Sequence, residues 1–194
     1  MDSAAIAPAK ARSRARRASG VTALLLLSPF GAWLLALADY LPTEASVLCA
    51  FVGSLAAGVA LLEQCQEMRV IRCSMTHITA QTWTGQRSVD LTRIRDVRLL
   101  TTFHYGGAYH AVLVRDQHGV RLGLTSVRTK RALVRALRNA PGDAQNRPRI
   151  SSAARAHLGL GASRTHTMHT VTSFLALTIS ICLYNGLVLK LAGL

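Results

Sequence analysis

Acidic side chains are scarce in this chain of 194 residues. It holds 9 aspartates and glutamates against 23 lysines and arginines, which gives a formal net charge of +14. Half of the residues are nevertheless hydrophobic. A single soluble globule does not combine these two properties easily, so the apolar and the basic residues are expected to occupy separate segments, as they do here.

Cysteine is also infrequent, and its spacing is uninformative. The four cysteines include no CxxC pair, and they are too few for a disulfide framework in a chain of this length. Cys65 and Cys73 with His77 match no common zinc spacing. His166 and His169 have no third ligand nearby in the sequence. Neither a metal site nor a cofactor is therefore predicted.

Signatures of catalysis are missing as well. The sequence has no GxSxG, P-loop or HExxH motif. Its central carboxylates, Asp90, Asp96, Asp116 and Asp143, are scattered, so an enzyme is not predicted. Aromatic residues make up 5% of the chain, and nucleic-acid-binding surfaces use aromatic rings for stacking. Nucleic acid is therefore not an expected partner, despite the basic charge.

Three long runs carry no charged side chain: Val21–Ala38, Val47–Leu62 and Val171–Leu189. Crossing the hydrocarbon core takes about 20 apolar residues. The runs therefore predict three transmembrane helices, arranged as a hairpin over residues 21–62 and a C-terminal span over 171–190. Buried helices of a soluble core and, for the first run, a signal peptide are the alternatives. Small residues that allow close helix approach recur in the second run: Gly53, Ser54, Ala56, Ala57 and Gly58.

Flanking charges predict the orientation of these spans. Residues 1–20, which read as a disordered basic tail, hold five basic side chains. The charged residues of the turn between the first two runs are Asp39 and Glu44, and neither is basic. The positive-inside rule places the tail and the central region in the cytoplasm and the C-terminus outside. The expected location is a multi-pass position in the plasma membrane.

Residues 66–140 read as short strands closed by one helix, which makes the expected fold class α+β. In MTHITAQTWTG, the residues Ile78, Ala80 and Thr82 share one side at period two, as in a half-buried strand. Gly85 marks a hairpin turn, and further strands follow. Residues 141–170 read as a basic linker.

The closing helix is expected to start at a cap on Thr125 or Ser126 and to run to Asn139. Its predicted buried side consists of Val127, Leu133, Val134 and Leu137. Basic residues on this helix are the candidate lipid-binding or partner-binding site, because juxtamembrane cations attract anionic headgroups. A solvated helix face is the alternative. The candidate site residues are Arg128, Lys130, Arg131, Arg135 and Arg138.

The segments follow one another as a strand, SMTHITAQTWTG, RSVDLTRIRDVRLL, a hairpin, GVRLGL and a helix. This order resembles the bacterial PH-like domain family, which is found beside transmembrane helices in small membrane proteins. The resemblance implies a partly open, strongly bent antiparallel β-barrel or sheet, capped by the C-terminal helix. It brings no catalytic residues. The positions that match the family's T-x-x-x-I … G … I-x-x-V rhythm are Thr76 or Thr79, Ile78, Gly85, Ile94 and Val97.

These features together predict a non-enzymatic protein of a bacterial inner membrane. Its PH-like module is expected to serve as a scaffold or interaction surface. The expected partners are anionic membrane lipids, and a protein partner or a second copy of the chain. The alternative function is an accessory or regulatory subunit of a membrane transport or secretion complex.

Overall fold

The computed structural model describes residues 8–42, 44–104, 107–139, 148–161 and 164–193. In chain order, the elements are α1 (Pro8–Leu37), α2 (Glu44–Glu63), β1 (Arg69–Cys73), β2 (His77–Thr82), β3 (Gly85–Asp90), β4 (Ile94–His104), β5 (Gly107–Asp116), β6 (Arg121–Leu124), α3 (Val127–Arg138), β7 (Arg149–Ile150), α4 (Ser152–His157) and α5 (Arg164–Leu191). The α+β class is confirmed. The chain forms two compact units, a β-rich unit of residues 1–15 and 63–171 and a helical unit of residues 16–62 and 172–194.

Two helices have the length and apolar character needed to cross a membrane. They cover Ala9–Leu37 of α1 and Thr167–Leu191 of α5. The apolar part described for α2, Glu44–Ala60, is shorter than the roughly 20 residues of a typical span. A helix forms at each of the three predicted runs. By these criteria, two of the three predicted runs qualify as membrane-spanning segments, and a third span at α2 stays a prediction.

Small residues line one face of α2 within the helical unit. Ser46, Ala50, Gly53 and Ala57 are buried, and their spacing of three or four residues places them on one side of the helix. A Cβ atom added to Gly53 would lie 2.7 Å from the carbonyl oxygen of Leu25 in α1. The close helix approach expected from the small residues is therefore confirmed at Gly53.

Replacing Gly53 by isoleucine is expected to destabilise the helical unit by roughly 1–3 kcal/mol, the usual cost of overpacking. The new side chain meets backbone, which cannot turn aside as a flexible side chain can. The thermal unfolding midpoint of the full chain in a neutral detergent measures the loss. Gly58→Ile is the matched control, since nothing lies within 4 Å of a Cβ added there. Equal losses in the two variants would contradict the close contact.

The strands of the β-rich unit form two sheets. One has the order β1-β2-β3, and the other has the order β6-β5-β4-β7. All pairings are antiparallel except that of β7, which runs parallel to β4. The expected alternation in β2 is confirmed, because Ile78, Ala80 and Thr82 are buried, and Gly85 takes a φ of 107° after the turn. Over the described residues the strands form two sheets and no closed barrel, and the partly open, bent form implied by the resemblance stays a prediction.

The core of the β-rich unit includes residues from both segments that flank the predicted domain. Ala11 of α1 and Ala153 and Ala154 of α4 are buried in the same cluster as residues of both sheets. Residues 8–20, predicted to be disordered, are helical, and residues 1–7 lie outside the described residues. The helix has a physical basis, because Ala, Lys and Arg are strong helix formers and Pro8 occupies the favoured first position.

Helix α3 begins as predicted. The Ser126 hydroxyl oxygen accepts a hydrogen bond from the Thr129 N–H at 3.2 Å, which confirms a cap at this position. Thr129 and Leu133 are the buried residues of the helix. Val127 is 64% exposed, so its predicted burial is wrong. It lies about 200° around the helix from Thr129, since each residue turns the helix by about 100°.

Candidate functional site

Four arginines form an exposed stripe on α3, here called the arginine face: Arg128, Arg131, Arg135 and Arg138. Their spacing brings them to one side of the helix, as expected. No acidic residue occurs in α3. Within the described part of the chain, none of the four pairs with a carboxylate. The face therefore presents four positive charges without internal compensation.

Lys130 does not belong to the arginine face. It is half-buried, and it lies about 200° around the helix from Arg128. Its Nζ lies 3.1 Å from Nε2 of His157 and 3.4 Å from the carbonyl oxygen of His110. The structure therefore separates this candidate residue from the four arginines and places it against β5 and α4.

A cleft of about 580 Å³ opens beside Lys130, and we call it the Lys130 cleft. Its walls come from the segment before β1, from β5, from the end of β6, and from α3 and α4. No carboxylate lines it in the described part of the chain. Its polar lining residues are Gln66, Tyr109, His110, Thr125, Lys130 and His157.

Two histidines meet at the Lys130 cleft. The ring centroids of His110 and His157 are 5.5 Å apart, and Nδ1 of His110 lies 3.2 Å from the Thr101 hydroxyl oxygen. An ammonium group can only donate hydrogen bonds. The contact between charged Lys130 and His157 therefore requires an unprotonated Nε2, which assigns the imidazole proton to Nδ1.

Glu67 anchors the start of α3. Its Oε1 accepts hydrogen bonds from the Thr125 N–H at 2.8 Å, the Ser126 N–H and the Thr129 hydroxyl at 3.0 Å. An anion at a helix N-terminus is stabilised by the unpaired N–H groups there. The other carboxylate oxygen, Oε2, is buried and makes no hydrogen bond within the described residues. Glu67 thus fixes the helix that carries both the arginine face and Lys130.

A short bridge sets the position of Glu67. Its N–H donates to the carbonyl oxygen of Gly123 at 2.8 Å, and the Gly123 N–H donates to the carbonyl oxygen of Cys65 at 2.7 Å. A Cβ at Gly123 would lie 3.3 Å from Cα of Gln66, so the close approach of β6 to the segment before β1 favours glycine. Sequence reasoning missed Glu67, because the residues it binds lie 58 or more positions away.

Burial lowers the pKa of the Lys130 ammonium group below its usual range. The negative charge of Glu67 acts in the opposite direction but does not outweigh the loss of hydration. Burial therefore leaves the ammonium group incompletely hydrated, and a bound anion would stabilise its charge.

The residues weighed as metal ligands do not assemble. Cys65 accepts a hydrogen bond from the buried Arg87 guanidinium, with 3.2 Å between Nη1 and Sγ. His77 instead lies near Asp90, with 3.9 Å between Nε2 and Oδ2. The described residues contain no group of three or more potential metal-binding side chains, and the side chain of His166 lies outside them.

No protein-family model, curated protein or solved structure matches this chain. The resemblance to the bacterial PH-like family therefore stays a prediction. Function has to be argued from the charge, burial and contacts of the residues themselves, because a fold alone does not specify an activity.

Proposed function

We propose that the chain is an integral membrane protein whose β-rich unit docks on anionic lipid through the arginine face. The carrying observation is the set of four exposed arginines on α3, none of which pairs with a carboxylate in the described part of the chain. Guanidinium groups bind phosphate oxygens in bidentate geometry, which suits them to phospholipid headgroups.

The expected free energy of electrostatic attraction supports this docking. A basic residue near an anionic leaflet contributes about 1 kcal/mol, and the attraction falls off within a Debye length of about 8 Å at physiological salt. The β-rich unit is joined to apolar helices along the chain on both sides. Such attachment raises the effective concentration of the arginine face near the surface, so modest individual contributions are sufficient.

Ala11 supports a membrane hairpin formed by α1 and α2. It is buried in the core of the β-rich unit, so it lies on the same side of any membrane as the strands. If α1 crosses the bilayer, α2 must therefore cross back. The 20 residues of α2 give a helix of about 30 Å, the thickness of the hydrocarbon core. Glu44 and Glu63 at its two ends would then lie at the interfaces.

The proposed arrangement has the β-rich unit in the cytoplasm as a PH-like scaffold, because basic flanking residues favour that side. Helix α5 then crosses once and leaves the C-terminus outside. Reporters fused before Met1 and after Leu194 are expected to lie on opposite sides of the membrane. Alkaline phosphatase, active outside, and a fluorescent protein, active inside, distinguish the sides. Two termini on the same side would contradict this topology.

The direct test of lipid docking compares anionic-lipid enrichment around the full chain with that around a variant carrying glutamate at Arg131, Arg135 and Arg138. Equal enrichment would refute the proposed function. If the lipid distribution is unchanged and a membrane protein copurifies stoichiometrically in mild detergent, the alternative function as an accessory subunit of a transport or secretion complex is favoured.

A further inference from the structure

The Lys130 cleft differs from the rest of the basic surface. The arginine face is exposed, whereas Lys130 is half-buried and lies 3.1 Å from an imidazole nitrogen of His157. His110 adds a second imidazole at the same place. Grouping an incompletely hydrated ammonium with two imidazoles in a cleft costs free energy, and such clusters occur preferentially at functional sites.

We propose that the Lys130 cleft binds a phosphate-class oxyanion, with the Lys130 ammonium as its main cationic contact. An ammonium group offers three donors, and the contacts with His157 and the His110 carbonyl oxygen account for two. Among the residues that the structure describes, one donor therefore remains for a ligand oxygen. Gln66 adds a neutral side-chain amide to the wall, whereas the N–H and hydroxyl of Thr125 both donate to Glu67. The proposal is independent of lipid docking by the arginine face.

The charges around the cleft favour an anion over a cation. No carboxylate lines it in the described part of the chain. Glu67, the acidic group that acts on Lys130, is not a lining residue, and its Oε1 is held by donors at the start of α3. A metal ion would meet two imidazoles but also the positive charge of Lys130, which would repel it.

The size of the cleft favours a phosphate ester over bare phosphate. Its volume of about 580 Å³ falls within the range of small-molecule sites, about 300–1,000 Å³. Tyr109 is 55% exposed at this wall and offers a flat apolar surface to an organic group. Two sources share this chemistry, a soluble phosphorylated metabolite and a phospholipid with a terminal phosphate.

Two probes distinguish the sources. Inorganic phosphate is titrated calorimetrically into the full chain in neutral detergent, and phosphatidic acid is supplied in phosphatidylcholine nanodiscs. We expect saturable binding of at least one probe, weakened about tenfold or more in Lys130→Met, because one charge-assisted contact is lost. Arg95→Met, at an exposed residue of β4 outside both the arginine face and the cleft, is the matched control and should bind as the unaltered chain does.

Sulfate gives a pH test, since it does not titrate in this range. Because burial lowers the pKa of Lys130, the ammonium loses its proton below the ordinary lysine value of about 10.4. Sulfate affinity should therefore fall as the pH rises, and the fall should begin at a lower pH than the loss of the proton from an ordinary lysine, whose pKa is about 10.4. Lys130→Met should remove this dependence, whereas a purely structural lysine would give no sulfate binding to begin with.

Hydrogen exchange of the unaltered chain keeps the test valid if Lys130→Met fails to fold. Bound phosphate should slow exchange in peptides covering residues 108–110 and 125–130 more than in residues 134–138. Binding only to phosphatidic acid nanodiscs would assign the ligand to a lipid, and binding to inorganic phosphate would assign it to a soluble ester. The proposal is overturned if neither probe binds saturably, or if Lys130→Met and Arg95→Met weaken binding equally. The second result leaves docking by the arginine face untouched.

Discussion

Reversing the charge of Arg131, Arg135 and Arg138 by glutamate is expected to abolish the enrichment of anionic lipid around the full chain. Each arginine near the headgroups contributes about 1 kcal/mol, so losing three removes about 3 kcal/mol, more than a hundredfold in local affinity. The added glutamates repel the same headgroups. Energy transfer from the protein's tryptophans to dansyl-labelled phosphatidylglycerol in largely neutral vesicles measures the enrichment, and dansyl-labelled phosphatidylcholine gives the baseline.

The matched control carries the same change in net charge elsewhere in the β-rich unit. Arg93, Arg95 and Arg98 are exposed as well, and replacing them by glutamate changes the total charge equally. Arg98 already pairs with Asp96 at 2.6 Å, so part of its charge is compensated in the unaltered chain. We expect this variant to retain most of the enrichment. An equal loss in both variants would mean that net charge, rather than the arginine face, attracts the lipid.

Glu67→Ala is expected to have the largest effect on stability, about 3 kcal/mol. The change removes the acceptor for two N–H groups at the start of α3 and for the buried Thr129 hydroxyl. Each buried donor left without a partner costs about 1–3 kcal/mol, and a donor that can reach water instead costs less. Removing the buried, unpaired Oε2 offsets part of this loss. Thermal unfolding of the full chain in neutral detergent, with hydrogen exchange across α3, measures both the global and the local effect.

Two controls identify the cause of that loss. Glu67→Gln keeps an acceptor oxygen and removes the charge, so an intermediate loss of about 1–2 kcal/mol is expected. Asp96→Ala removes an acidic residue from the same unit and breaks its ion pair with Arg98, whose side chain is 70% exposed. Such an exposed pair contributes less than about 1 kcal/mol. The anchoring role of Glu67 would be wrong if Glu67→Ala were no more damaging than Asp96→Ala.

Local patterns in the sequence were sufficient for much of the β-rich unit. Period-two burial of Ile78, Ala80 and Thr82 follows directly from strand geometry. The Ser126 cap and the exposed arginines on α3 follow from helix geometry. These features depend on neighbours within a few positions, which is why a single sequence specifies them.

Lys130 shows what the local pattern leaves out. It is basic and lies among the arginines in the sequence, so the candidate site includes it. Its position about 200° from Arg128 around the helix brings it beside the buried face that carries Thr129 and Leu133. The angular position of Lys130 on the helix is by itself enough to separate it from the four arginines. The two histidines that it meets could not be found in this way, because they lie 20 and 27 positions away on other elements.

Pairings between distant segments have no local signal in the sequence. In the two-residue strand β7, Arg149 pairs with Asp96 and Ile150 pairs with Val97. So short a segment has no sequence pattern that indicates a partner more than fifty positions away. The helix that follows, α4, has a local signal in its Ser151 cap, whereas the burial of Ala153 has none. Composition similarly predicted a tail before the first apolar run, although the strong helix propensity of Ala, Lys and Arg pointed to the observed helix.

Arginine-specific chemical modification of the unaltered chain tests the central claim most directly. The full chain is placed in nanodiscs of neutral lipid and in nanodiscs containing anionic lipid, treated with a phenylglyoxal reagent, and analysed by peptide mass spectrometry. Docking predicts that Arg131, Arg135 and Arg138 react more slowly in the anionic nanodiscs, while Arg93 and Arg95 react equally in both. Equal reactivity of the three α3 arginines in neutral and anionic nanodiscs would contradict docking by this face.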